Sequence, residues 1–267
     1  LIKQHANQQR GANQLRDYVY NTVLSYMAKD RRWKEALQLL RSMQDHQQQQ
    51  QPKDQTVGHP FPNSGTYHNV IQACINAGQT EQAIQTMLAV VEQRKKKKNN
   101  NNNDIITLAT FQVLLSAVSK RKNWRRALQI LDVMIDQEDL QPNERTYNAV
   151  ISACARAGEN GAARNVYARM RRANIKPTVV TFNSLMAAYP GTPRWRETLT
   201  LLGECNREPG VEPNLITYTT AIRACATGKK ISTALTLLDV IKEKNLGPDV
   251  ICYTAVMDAC SKGNNWR

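Results

Sequence analysis

The feature that most constrains this chain is a segment of about 35 residues that recurs along most of its length. Its clearest copy runs from Glu144 to Thr178. The first half has apolar residues at the spacing of one helix face, namely Tyr147, Val150, Ile151 and Cys154. A second such face follows at Ala163, Val166, Tyr167 and Met170. Gly158 lies between the two faces and Pro177 follows the second, so the segment is predicted to be two helices joined by a turn.

Seven copies can be aligned without gaps in their first halves. They begin at Asp17, Ser64, Leu108, Glu144, Val179, Leu215 and Val250. We number the columns of a unit from its first residue, so that Thr178 is column 35, the last of its unit. Column 4 is always aromatic, at Tyr20, Tyr67, Phe111, Tyr147, Phe182, Tyr218 and Tyr253. Because a fixed period of this length is typical of solenoids, we predict an all-α fold, an α-solenoid of helix-turn-helix repeats of about 35 residues.

The repeat also predicts the domain organisation. Residues 17–267 form the array, and residues 1–16 are a remnant or the tail of a preceding repeat. The last unit is truncated after its first helix, which suggests an excerpt from a longer protein. Two low-complexity loops, near 44–62 and 93–104, lengthen the first two units, and both follow a second helix, where a solenoid can extrude them.

Composition and charge narrow the function. The net charge of +14 indicates an anionic partner such as nucleic acid or a membrane surface. No apolar run approaches the roughly 20 residues of a membrane-spanning helix, and we expect no membrane partner. The cysteines in column 11 fall on the apolar face of the first helix and form no CxxC pair, so they are predicted to be core residues; these are Cys74, Cys154, Cys225 and Cys260.

No set of residues suggests catalysis. The four histidines are scattered, and the sequence has no Gly-rich phosphate loop, zinc-ligand pattern or paired carboxylates at repeated spacing. We therefore expect no enzyme activity, cofactor, metal site or small-molecule substrate from this chain.

Tryptophan occupies column 17, the entry to the second helix, in alternate units: Trp33, Trp124, Trp195 and Trp266. Such an array could stack on bases. Packing of each ring under the neighbouring unit is the better interpretation, although it leaves the alternation unexplained.

A polar stripe on the first helix carries the functional signal. Columns 5, 9 and 13 lie four residues apart and share one helix side, as in Asn148, Ser152 and Arg156. We expect the threonines of column 3 to be the N-caps of the first helices; these are Thr66, Thr110, Thr146, Thr181 and Thr217. The column-5 side chains would then be free to meet the edge of an unpaired base, and the cations of column 13 could hold its phosphate.

These units resemble pentatricopeptide repeats. The segments Val179-Val180-Thr181-Phe182-Asn183 and Lys176-Pro177-Thr178 match the start and the end of that family's pattern, over residues 17–267. The resemblance implies a right-handed superhelix that binds single-stranded RNA, one nucleotide per repeat. It also implies a location in the mitochondrion or chloroplast, where such proteins act in transcript stabilisation, processing or translation.

By this resemblance, column 5 and the last residue of a unit read the base together. Asn21 with Asn63, and Asn183 with Asn214, should prefer cytosine. Thr219 with Asp249 should prefer guanine, and Asn148 with Thr178 is a looser pyrimidine reader. Two further pairs carry no base assignment, and the last unit contributes one residue; these are His68 with Thr107, Gln112 with Asn143, and Thr254.

The resemblance assigns phosphate contacts to column 13, namely Lys29, Lys120, Arg156 and Lys262. It assigns wedging between bases to the aliphatic residues of column 2, namely Val180, Ile216 and Ile251. We expect a monomer with single-stranded RNA as its partner. Two alternatives stay open: a protein-binding helical-repeat scaffold, and the RNA-recognition part of a larger RNA-processing enzyme.

Overall fold

A computed structural model of the chain describes residues 17–49, 62–96, 106–137, 140–189 and 195–263. Within these ranges every regular element is an α-helix and there is no strand. The predicted all-α repeat fold is therefore confirmed, while the handedness of the superhelix stays a prediction. Residues 1–16 and Trp266 lie outside the described residues.

The helices alternate between first and second helices of the units. The first helices are α1 (residues 17–29), α3 (Ser64–Asn76), α5 (Leu108–Lys120), α7 (Glu144–Arg156), α9 (Val179–Met186), α11 (Leu215–Thr227) and α13 (Val250–Lys262). The second helices are α2 (Trp33–Gln49), α4 (Thr80–Lys96), α6 (Trp124–Ile135), α8 (Asn160–Arg172), α10 (Trp195–Arg207) and α12 (Ile231–Glu243). Each first helix begins at the residue where its sequence unit begins.

Two helices are longer than predicted. α2 continues to Gln49 and α4 to Lys96, so both extend into the segments predicted as low-complexity loops. Glutamine and lysine are good helix formers, so a polar tract directly after an amphipathic helix can continue it. The remainder of both segments, residues 50–61 and 97–105, lies outside the described residues.

The chain divides into two compact regions, residues 1–117 and 118–267. In the first, α3 packs against α2 and α4. Amide side chains of α3 also reach the backbone of α1: Asn69 Nδ2 donates to the carbonyl oxygen of Asn21 at 3.0 Å, and Asn76 Nδ2 to that of Ala28 at 2.8 Å. These bonds join neighbouring first helices. A helix carbonyl oxygen has a second lone pair beside the one used within its own helix, and the amide side chains donate to it.

In the second compact region, residues 118–267, helices α7, α9, α11 and α13 pack side by side. α7, α9 and α11 each also contact the second helix before them and the one after them, and α13 contacts α12. The column-4 aromatics Tyr147, Phe182 and Tyr218 are buried in this arrangement. Of the column-11 cysteines in this part of the chain, Cys154 and Cys225 are buried and Cys260 on the last helix is half-buried. No single repeat could bury these faces alone, so neighbouring units stabilise one another.

The turn within a unit depends on a left-handed residue in column 15. Gly158 has φ +75° two residues after the end of α7, which confirms its predicted role as the helix terminator. The same column holds Gly78 at φ +79°, and three residues that carry a Cβ, namely Arg31, Lys122 and Lys229. The turn geometry is therefore preserved even where it strains the backbone.

The first helix of the fifth unit is the shortest, ending at Met186. The sequence places Pro190 soon afterwards. A residue that precedes proline is disfavoured in helical conformation, and proline cannot donate the next helical hydrogen bond. The helix therefore ends early in this unit.

The tryptophans of column 17 pack as predicted where the contact is described. A Cβ placed on Gly228, in column 14 of the next unit, would lie 2.2 Å from Trp195 Cδ1. At the next junction a Cβ on Gly263 would lie 2.3 Å from Ile231 Cδ1. A large residue in column 17 thus requires a small one at the end of the next first helix. The sequence satisfies this requirement after Trp33 and Trp124 as well, with Ala77 and Ala157.

We expect Gly228→Ala to destabilise the protein by about 1–3 kcal/mol, because the added methyl group overpacks the contact with Trp195. The measurement is the midpoint of urea unfolding. In a Trp195→Leu background the same substitution should cost less, since the ring that it strikes is gone.

Gly161→Ala is the matched control, because a Cβ at this helical glycine meets no atom within 4 Å. It should leave stability unchanged or raise it slightly. An equal loss from both alanines would show that packing against Trp195 is not the cause.

Candidate nucleic-acid interface

The two residues of three predicted reading pairs come together where a first helix meets the next. Asn21 Nδ2 donates to Asn63 Oδ1 at 3.2 Å, and Asn183 Nδ2 donates to Asn214 Oδ1 at 3.4 Å. Asn148 Nδ2 lies 3.5 Å from Thr178 Oγ1. Residues that are 30 or more positions apart in sequence therefore form one polar site per junction.

A threonine links the pair of the second unit. His68 Nδ1 lies 3.1 Å from Thr110 Oγ1, which in turn lies 3.2 Å from Thr107 Oγ1. His68 and Thr107 thus share one hydroxyl neighbour, without a direct bond between them.

The remaining predicted readers are placed differently. No hydrogen bond between described residues joins Thr219 to Asp249, whose Oδ1 accepts from the backbone N–H of Cys252 at 2.8 Å. Thr254 is exposed and donates to the carbonyl oxygen of Val250 in its own helix. Gln112 is half-buried on α5, and Asn143 caps α7.

The predicted N-caps are wrong. The cap is the last residue of the preceding unit, as in Asn63, Asn143, Asn214 and Asp249, each of which accepts from a backbone N–H three residues later. The column-3 threonine is the third residue of the helix and completes a capping box: Thr66 Oγ1 accepts from the backbone N–H of Asn63, and Thr217 Oγ1 from that of Asn214. Asparagine and threonine are both strong caps, and the sequence signal was assigned three residues too late.

The prediction that the column-5 side chains are free is consequently wrong as well. Thr66 Oγ1 donates to Asn21 Oδ1 at 3.0 Å, and Thr181 Oγ1 donates to Asn148 Oδ1 at 2.6 Å. Asn148 is only 8% exposed and Thr219 only 7%. These two side chains lie between neighbouring helices, so a base could reach only their outer edge.

Two polar atoms of this row stay unsatisfied among the described residues. Asn183 Oδ1 is buried without a hydrogen-bond partner, and Thr219 Oγ1 makes no bond of ordinary geometry. The Cys252 thiol stands where other units have the column-3 threonine. Burial raises the pKa of Cys252, and its contact with the Thr219 hydroxyl offsets part of that rise. Unpaired buried groups are costly, so both positions would gain from a ligand or water.

The predicted phosphate-binding cations all lie at the surface. Lys29, Lys120, Arg156 and Lys262 are exposed. Lys262 Nζ forms an ion pair with Asp258 Oδ2 at 2.7 Å, and Lys29 Nζ lies 5.4 Å from the ring centre of Tyr26. The positive charge of this column is therefore accessible to an anion.

The predicted wedging residues are also exposed, which is unusual for large aliphatic side chains. Val180 is 53% exposed, Ile216 63% and Ile251 60%. Tyr18, which holds the same column in the first unit, is 70% exposed and was missed because only aliphatic residues were sought there. An apolar row beside the polar pairs suits contact with the flat faces of bases.

Sequence reasoning also missed Arg223. A groove of about 250 Å³ between α9, α11 and α13 is lined by Thr220, Arg223, Thr227, Asp258 and Lys262 among others. Thr227 occupies column 13 here, and its hydroxyl donates to the carbonyl oxygen of Ala224. Arg223 lies one turn earlier, in column 9, and is exposed. A search for cations along the whole stripe, instead of column 13 alone, would have found it.

The described residues offer little reactive chemistry. Burial raises the pKa of Cys74, Cys154, Cys205 and Cys225 to about 11, which disfavours their thiolates. No group of three or more His, Cys, Asp or Glu side chains that could hold a metal ion lies in the described part of the chain. Among the described helices, none is long and apolar enough to cross a membrane.

The fold and this interface define an all-α repeat protein of helix-turn-helix units. A family model described as "Pentatricopeptide repeat domain" matches residues 95–154, 134–192 and 200–263, more than half of the chain, and a "PPR repeat" model matches residues 18–47. The chain belongs to the pentatricopeptide repeat family.

The curated relatives agree with this assignment. A chloroplastic pentatricopeptide repeat-containing protein of Arabidopsis thaliana is 25% identical over 130 residues, which cover 49% of this chain and 27% of that protein. Other relatives are named chloroplastic or mitochondrial, in agreement with the organelle location expected from the resemblance. The chain spans about a quarter or less of the length of several of these proteins.

Solved structures show the same fold. Maize PPR10 matches with a TM-score of 0.52 at 21% identity, over 92% of this chain and 37% of that chain. PPR10 in complex with an 18-nt psaJ RNA element matches with a TM-score of 0.60 at 17% identity, over 91% of this chain and 32% of that chain. The PPR domain of Arabidopsis thaliana protein-only RNase P 1, in complex with tRNA, gives a TM-score of 0.50 at 17% identity, over 58% of this chain and 84% of that chain.

The capping geometry predicts how the last residue of a unit tolerates change. Asn214→Ala should cost about 1 kcal/mol of stability, because the first turn of α11 loses its acceptor. Asn214→Asp should cost little, since a carboxylate oxygen can accept from the same N–H. Urea unfolding of both variants provides the measurement.

Asn165→Ala, at an exposed asparagine inside α8, serves as the control and should not destabilise. Equal stability of the two Asn214 variants would contradict the capping assignment.

Proposed function

We propose that this chain binds single-stranded RNA, with one nucleotide to each repeat. The observation that supports this most is the repeated junction, where column 5 and the last residue of the unit meet at hydrogen-bonding distance. Exposed aliphatic residues lie in column 2, three residues before the reading residue of column 5. Exposed cations lie in column 13, two turns after it on the same helix. A base, its stacked faces and its phosphate each have a matching group.

The base assignments come from the family resemblance, and two of the assigned pairs, Asn21 with Asn63 and Asn183 with Asn214, meet at hydrogen-bonding distance. Asn21 with Asn63, and Asn183 with Asn214, read cytosine. Thr219 with Asp249 reads guanine. Where the last residue is asparagine, its oxygen caps the next helix, so the groups left for a base are its amide protons and the outer edge of the column-5 side chain.

The phosphates are held by the column-13 cations Lys29, Lys120, Arg156 and Lys262, and Arg223 supplies the charge in the unit whose column 13 is Thr227. These side chains are exposed and face no base edge of their own, so they contribute affinity and speed of association more than base selectivity. Val180, Ile216 and Ile251 separate successive bases.

Binding of this kind protects or remodels an organelle transcript by occupying it, and so stabilises it or assists its processing or translation. The chain acts as a monomer, with no catalysis of its own. A partner domain could add catalysis, and an RNA-processing assembly would then use this array for recognition. A scaffold for another protein is the rival that the following charge experiment separates.

The affinity for RNA should fall steeply with salt. Five phosphate contacts, four from column 13 and one from Arg223, predict that a plot of log affinity against log salt has a slope of about −3.5, at roughly −0.7 per phosphate. Replacing all four column-13 cations by glutamine should therefore remove most of that slope, as measured by fluorescence anisotropy with a labelled single-stranded RNA.

The control removes four exposed cations from the second helices and their ends, by the substitutions R41Q, R172Q, R207Q and K244Q. This variant has the same net charge and should retain most of the slope. Equal losses in both variants would indicate non-specific attraction, and no loss in either would favour a protein-binding scaffold.

A base preference should move with its reading pair. Asn183→Thr together with Asn214→Asp gives the fifth unit the pair of the sixth, so that one position of the bound RNA should change from cytosine to guanine. Selection from a random RNA pool, followed by sequencing, measures the preference at every position.

The reciprocal variant, Thr219→Asn with Asp249→Asn, should change the adjacent position from guanine to cytosine. A pair of changes at non-adjacent positions, or unchanged preferences with intact binding, would overturn reading of one base per repeat.

A further inference from the structure

The reading pair of the fourth unit is already bonded to a carboxylate. Glu144, the first residue of α7, accepts at Oε1 from Asn148 Nδ2 at 3.2 Å and from Thr178 Oγ1 at 3.1 Å. The single hydroxyl proton of Thr178 and one of the two amide protons of Asn148 are thus directed at Glu144. The amide oxygen of Asn148 is occupied as well, because Thr181 Oγ1 donates to it.

This carboxylate is a property of particular units. Column 1 is acidic only at Asp17 and Glu144; the other units have Ser64, Leu108, Val179, Leu215 and Val250. Asp17 interacts with one member of its own pair, since its side chain lies in hydrogen-bonding contact with Asn63. Burial raises the pKa of Asp17, and this bond offsets part of the rise.

A general role in helix stability does not account for the contact. A carboxylate in the first turn is favourable anywhere near the helix N-terminus, because it faces the positive end of the helix dipole. That effect requires proximity alone. Glu144 instead bonds to both side chains of the reading pair at once, and one of them, Thr178, belongs to the junction with the next unit.

The contact changes what a base would meet. Without Glu144, the outer edge of the pair offers an amide and a hydroxyl, which can donate. With Glu144, these donors are engaged, and the exposed group is a carboxylate, which only accepts. Glu144 Oε2 has no hydrogen-bond partner among the described residues. Cytosine, adenine and guanine each carry an exocyclic amino group that can donate to it, whereas uracil carries carbonyl oxygens at those positions and can donate only from its ring N3–H.

We propose that Glu144 is a third base-reading residue of the fourth unit and that it selects against uracil. This inference rests on the proposed RNA binding, and it sharpens the loose pyrimidine preference of Asn148 with Thr178 into cytosine over uracil. Asp17 performs the same task beside Asn21 and Asn63, where the pair itself already favours cytosine.

The test is selection from a random single-stranded RNA pool with the wild-type chain, Glu144→Leu and Glu144→Gln. Leucine is the natural column-1 residue of two other units, so the helix tolerates it. The position read by the fourth unit is identified by the variant with Asn183→Thr and Asn214→Asp, which marks the adjacent position.

The wild type should enrich cytosine over uracil at that position by roughly three- to ten-fold, the range of one hydrogen bond gained or lost. Glu144→Leu releases the donors of Asn148 and Thr178 toward uracil, and the ratio should fall to about one. Glu144→Gln, which offers both a donor and an acceptor, should give an intermediate ratio. Affinities for two RNAs that differ only at that base confirm the values.

Glu159→Ala is the matched control, because Glu159 is an exposed acid of the same unit whose side chain caps nothing. It should leave the ratio unchanged. A ratio that stays the same in Glu144→Leu and Glu144→Gln while RNA binding persists would overturn this inference alone. Failure of the wild type to enrich any RNA would overturn the proposed function as well.

Discussion

A fully buried threonine hydroxyl organises three of the described junctions between repeats. Thr66, Thr181 and Thr217 lie in the first turn of their helices with at most 1% of their surface exposed. A hydroxyl in such a place must find partners, because an unpaired buried group is costly. It finds them in the backbone N–H of the cap before it and in the oxygen of a reading side chain. One interaction thus fixes the start of the helix and the orientation of the groups that would face RNA.

The same interaction explains why reading side chains can be both buried and useful. Asn148 is held by Thr181 on one side and by Glu144 on the other, so its conformation is set before any ligand arrives. A site ordered in advance loses less conformational entropy on binding. The cations and the aliphatic row stay exposed, and they would adapt to the backbone and to the faces of bases.

The sequence predicted the repeat and the two helices of each unit, because both depend on a strict period, while the pairing of distant residues came from the family resemblance. It placed the caps wrongly, because the asparagine at the end of a unit and the threonine three residues later are both favourable caps. The burial of Asn148 and the bond from Glu144 depend on how one unit packs against the next, and no local pattern carries that information. Arg223 was missed for a different reason, since its charge lies one helical turn from the column in which the other units hold theirs.

Because the last residue of each unit is also a helix cap, only a few residue types suit that position. Every unit junction of this chain has one of these residue types: Asn63, Thr107, Asn143, Thr178, Asn214 and Asp249. Exchanges among asparagine, aspartate, threonine and serine keep the helix start intact, whereas any other side chain weakens it by about 1 kcal/mol. Over many repeats such losses would add up. Proteins built this way could therefore change their targets without losing stability only by exchanging those few residue types at the last position of a unit.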